Sequence, residues 1–140
     1  MQGDSEALWL DPQPLVLAST SSIRRQLLTA AGLPPEIEAP SIDERRIEAE
    51  KLGAGATPAD AAVLLACEKA LDVSRRRPGR LVVGADQTLA LADGSRLSKP
   101  RDTDDAAHQL ARLAGTTHTL CSACAIARDG AILFSAAAEA

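Results

Sequence analysis

Two short apolar runs, Leu15-Val16-Leu17-Ala18 and Leu81-Val82-Val83-Gly84-Ala85, each break off into polar residues, and segments of helical periodicity lie between them. Runs this short, bounded by turn formers, read as buried strands. After the first run Ile23, Leu27, Leu28 and Ala31 recur at helical spacing, and Gly32 supplies a stop. Before the second, Thr57-Pro58-Ala59-Asp60 offers an N-cap, a proline at the first helical position and an acid in the first turn. That helix is expected to run to about Val73. Strands alternating with helices restrict the chain to an α/β layered domain.

The remaining punctuation fills in the order of elements. Residues 1–13 read as a flexible N-terminal extension, and 14–140 as the folded domain. Pro34-Pro35 breaks the chain before a short alternating strand, Glu36-Ile37-Glu38-Ala39. Residues 43–51, charged except for Ile47 and Ala49, suggest a surface helix, and Ser74 to Arg80 a solvated basic loop. Leu89-Ala90-Leu91 resumes the strand pattern after Asp86, and Asp93-Gly94 marks a turn. Thr103 with Asp104 and Asp105 opens a helix whose apolar face is Ala106, Leu110, Leu113 and Ala114. Thr119–Ala127 and Ala131–Ser135 flank Arg128-Asp129-Gly130 as a hairpin. No internal repeat is present.

Composition narrows the partners. With one Trp, one Phe and no Tyr, the core must be packed from Leu, Val, Ile and Ala, and no aromatic platform exists for stacking bases. A net charge of −4 and a pI near 5.1 argue against nucleic-acid or anionic-membrane binding. No apolar stretch approaches a bilayer-spanning length, and the acidic start is wrong for a secretory signal, so the expected location is cytoplasmic. Three cysteines form no disulfide framework. Cys121 and Cys124 lie three apart on an expected strand, facing opposite ways, which favours structural thiols over a zinc site.

Chemistry is offered at two places. Ser19-Thr20-Ser21-Ser22 ends a strand and opens a helix carrying Arg24 and Arg25. Free N–H groups at a helix N-terminus, hydroxyl donors and a guanidinium together suit a phosphate, although one serine capping the helix with both arginines in water reads equally well. Asp86, delivered from a strand end, suits a divalent cation or the activation of water, or else caps a turn. Lys99 returns after the hairpin-like excursion and suits a phosphate beside Asp86. Asp43-Glu44 and Glu68-Lys69 offer further metal or phosphate contacts, or simply solvated pairs. His108 falls on a polar helix side and needs no functional reading, while His118, in a loop before a strand, reads more readily as a hydrogen-bonded structural histidine than as a base.

These segments, in order, resemble the Maf family of nucleoside triphosphate pyrophosphatases. Residues 15–28, LVLASTSSIRRQLL, resemble its opening signature L-A-S-x-S-x-R-R-x-x-L-L. Ile42-Asp43-Glu44, Ala66-Cys67-Glu68-Lys69-Ala70, Val83-Gly84-Ala85-Asp86-Gln87-Thr88, Lys99-Pro100-Arg101-Asp102 and Leu113–His118 resemble the motifs that follow it.

The resemblance implies an elongated mixed sheet flanked by helices, with a cleft between two lobes. It implies hydrolysis of a nucleoside triphosphate to monophosphate and pyrophosphate with Mg or Mn, and a homodimer. By position, Asp86 is the expected catalytic base. Ser19, Arg24, Lys69 and Lys99 are the expected phosphate ligands, and Glu44 and Asp86 the metal ligands. Ile23 and Gln87 are the expected base-reading positions, and Gln directly after the Asp resembles the branch acting on 7-methyl-GTP. The family pattern continues beyond the segments matched here, so an incomplete copy is expected, and nucleotide binding without turnover is the alternative.

Overall fold

A computed structural model describes residues 9–140. Of the extension expected over 1–13, residues 1–8 lie outside the described residues. Residues 9–13 form a turn in which Trp9 Nε1 donates to the Gln13 carbonyl at 2.7 Å.

Ten elements follow in the order β1 (Val16–Ala18), α1 (Ser22–Ala30), β2 (Glu36–Ile37), α2 (Glu44–Lys51), α3 (Pro58–Arg76), β3 (Val82–Leu91), β4 (Arg96–Leu97), α4 (Thr103–Leu113), β5 (His118–Arg128) and β6 (Ala131–Glu139). They build one mixed sheet in the order β2-β1-β3-β5-β6, with β4 paired to β3. β2, β1 and β3 are parallel, each return made through helices, while β5 and β6 run antiparallel. The hairpin between them turns on Asp129 and Gly130, both at positive φ, as a two-residue turn matching strand twist requires.

The core lies between α3 and one face of the sheet. Ala62, Ala66 and Ala70, spaced to share one side of the helix, pack on Ala123, Ala125 and Ala127, which alternate along β5. Side chains this small let the helix settle close to the sheet. Gly84 of β3 marks the nearest approach: a Cβ there would overlap the Ala66 carbonyl oxygen and stand 2.7 Å from the Ala70 nitrogen. Thr57 and Asp60 cap α3 reciprocally, and Thr88 Oγ1 donates at 3.0 Å to the Pro58 carbonyl, pinning the helix start to β3. The opposite sheet face is only partly covered, with Gln87 and Ser122 exposed.

Several expectations need correction. β3 is one continuous strand, so Asp86 sits in its middle, paired with Ala123, rather than at a strand end. α3 runs past Val73 to Arg76, because Ser74 is buried and its Oγ accepts from Gly130 N at 3.0 Å. The basic residues at its end and beyond it are not simply solvated: Arg76, Arg77 and Arg80 meet Glu36, Glu38 and Asp72. His118 opens β5 opposite Leu91 instead of ending a loop. α4 does open at Thr103, with Asp102 before it as the N-cap, its carboxylate accepting from Asp105 N. The apolar face expected on α4 packs no core, and Leu110 is 67% exposed.

Candidate functional site

The Ser19–Ser22 corner is held by its own hydroxyls. Ser19 is buried, and its Oγ accepts from Ser21 N at 3.1 Å and from Arg24 Nη1 at 3.4 Å. Ser21 Oγ accepts from Arg24 N at 3.3 Å, capping α1. A serine caps the helix, as one reading expected, but Arg24 folds back over the loop rather than pointing into water.

Facing this corner, Lys69 rises from α3 into a cleft of about 490 Å³ whose walls include Ser19, Arg24, Glu44, Lys69 and Lys99. Lys69 Nζ lies 2.8 Å from Asp86 Oδ1 and 3.0 Å from Glu44 Oε1. The side chains of Lys69 and Asp86 are each 11% exposed, whereas that of Glu44 is 50% exposed. Asp86 does not itself line the cleft and lies behind Lys69, which pairs with it. Burial pushes the Asp86 carboxyl above its usual range, against the pull of Lys69 and, more weakly, Arg24. Lys69 and the cleft's other cations, Arg24 and Lys99, outnumber the two carboxylates, which suits a polyanionic guest.

Five of the eight residues singled out by sequence line this cleft, and Asp86 joins them through its ion pair. Ile23 and Gln87 do not line it. Ile23 is 62% exposed on α1. Gln87 follows Asp86 on the strand and so faces the other side of the sheet, where its Nε2 donates to Ser122 Oγ at 2.8 Å. Thr20, Ser22 and Pro40 also line the cleft without having been singled out individually as ligands. No cluster of three or more His, Cys, Asp or Glu side chains suited to a metal occurs among the described residues. Cys67, Cys121 and Cys124 are free, and burial raises the Cys67 thiol. No helix among the described residues is long and apolar enough to cross a membrane.

The profile of a family described as Maf-like protein matches residues 14–139. A nucleoside triphosphate pyrophosphatase of Rhodopseudomonas palustris (strain BisB5) is 54% identical over 129 residues, covering 91% of this chain and 62% of that protein. A 7-methyl-GTP pyrophosphatase of Rhizobium etli is 50% identical over 120 residues, covering 86% of this chain and 60% of that protein. The chain therefore spans about 60% of the length of these relatives. A HAM1 protein from Coxiella burnetii shares the fold, with a TM-score of 0.55 at 13% identity over 90% of this chain and 68% of that one.

Proposed function

Because the chain belongs to the Maf family, we propose that its cleft binds a nucleoside triphosphate and hydrolyses it to monophosphate and pyrophosphate. The observation that carries this reading is Lys69, held between a buried and an exposed carboxylate opposite the Ser19–Arg24 corner. In the proposed reaction Asp86 takes a proton from water as the water oxygen bonds to the α-phosphorus, and the bond to the bridging oxygen breaks toward pyrophosphate. A carboxyl raised by burial is the stronger base once ionised. Ser19, Arg24, Lys69, Lys99 and the N–H groups opening α1 spread the leaving-group charge.

Glu44 and Asp86 carry the oxygen donors that a hard divalent ion takes, usually completed by substrate phosphates, but Lys69 Nζ stands between them and would have to give way to such an ion. Mg²⁺ or Mn²⁺ held there would add positive charge beside the phosphates. For the base, the reading is a purine nucleotide such as 7-methyl-GTP, supported by the Rhizobium etli relative; Ile23 and Gln87 lie outside the cleft and lend it no support. Turnover of 7-methyl-GTP, UTP and dTTP side by side tests it, and a preference for dTTP or UTP overturns it. Asp86→Asn should lower pyrophosphate release by about a hundredfold or more, the scale of a lost general base. Undiminished release would overturn the mechanism. The alternative reading is nucleotide binding without turnover. It predicts nucleotide-dependent thermal stabilisation with no pyrophosphate released.

A further inference from the structure

α2 buries none of its residues, and Ile47 is only half-buried, so no apolar face of any size attaches it to the body of the protein. Its attachment is ionic. Glu44, Glu48 and Lys51 recur on successive turns along one side of the helix. Glu44 meets Lys69 of α3, and Lys51 Nζ lies 2.6 Å from Glu68 of the same helix. Between them Arg96 grips Glu48 with both arms of its guanidinium, Nη1 to one carboxylate oxygen at 2.8 Å and Nη2 to the other at 3.0 Å. The fork fits the planar carboxylate and fixes direction as well as distance. These hydrogen bonds hold the Glu48 carboxyl below its ordinary range and raise the guanidinium.

Arg96 stands on β4, opposite Ala90 of β3, and β3 is the strand that carries Asp86. The grip therefore joins the helix bearing Glu44 to the strand bearing Asp86 by a route independent of Lys69. Glu48 follows Glu44 by about one helical turn, so a hold on one transmits to the other.

We propose that Arg96 is a positioning residue: by clamping Glu48 it fixes α2 to the β3–β4 hairpin and holds Glu44 at Lys69 and Asp86. Its consequence for turnover rests on the hydrolytic reading above.

Hydrogen exchange and initial rates on the full chain test the proposal. Arg96→Ala should speed exchange of the α2 amides by about tenfold while leaving β3 and β5 unchanged, as local opening requires. It should lower kcat/KM by about tenfold, whereas in a Glu44→Gln background the same change should cost less than about twofold, because its effect passes through Glu44. Arg96→Lys should recover part of the loss. Unchanged α2 exchange, or an equal rate loss in the Glu44→Gln background, overturns the proposal. If the wild-type chain releases no pyrophosphate, the hydrolytic reading fails separately. The clamp is then decided by exchange alone: Glu48→Arg with Arg96→Glu should restore α2 protection lost in either single variant, and failure to restore it sinks the clamp.

Discussion

On the α3 side of the cleft, Lys69 and Asp86 stand on elements that touch through alanines and a glycine. On the α2 side, Glu44 stands on a helix that buries nothing and is tied down by ion pairs. Dense packing tolerates neither a gap nor an added atom, and salt leaves it intact. Exposed and half-exposed ion pairs in water are individually weak and are screened by salt. One cleft thus joins a rigid wall to a yielding one, and Glu44 sits on the yielding one.

The sharpest way to break the contrast is Gly84→Val. Its side chain would meet the backbone of α3 rather than a flexible tip, so the loss should reach at least about 3 kcal/mol. Denaturant unfolding measures it; a loss under about 1 kcal/mol would mean that α3 can lift freely. Next is Lys69→Ala, which strands Asp86 in its buried position at a cost of about 3 kcal/mol near neutral pH. Asp86 has a raised carboxyl, so burial of its charged form opposes folding once pH exceeds the ordinary aspartate range. Its folded state holds the proton longer than the unfolded chain, and stability therefore falls as pH rises through the folded pKa. The Lys69→Ala deficit should accordingly shrink toward pH 4, and a deficit independent of pH would locate its cause elsewhere. The smallest effect is that of salt: about 1 M NaCl, with a screening length of about 3 Å, should speed α2 exchange severalfold and leave α3 protected. Equal responses of the two helices would erase the distinction.

Much of this was legible in the residues. The capped start of α3, the Ser21 cap, the Asp129-Gly130 hairpin and the alternation of β5 depend on neighbours within a few positions. The extent of β3 and α3 was not, because Asp86 is kept in strand conformation by pairing with Ala123, and Ser74 is kept helical and buried by Gly130. Glu48 and Arg96 carried no local signal at all: 48 residues apart, each reads as an ordinary surface charge until β4 is laid beside α2. Likewise adjacency in sequence joined Asp86 to Gln87, while the pleat sends them to opposite faces.

By itself the sequence determined the class of fold, the family resemblance and most of the side chains that line the cleft's polar wall, since periodicity, capping and residue chemistry are properties of short segments. Only the tertiary structure decided that Lys69 stands between Asp86 and Glu44, that Arg24 bends back onto Ser19, and that α2 is fastened by charge. The ion pairs at Lys69 and Glu48 need elements distant in the chain to be brought to one place, and the close approach of α3 to Gly84 brings Lys69 to Asp86 of the same strand.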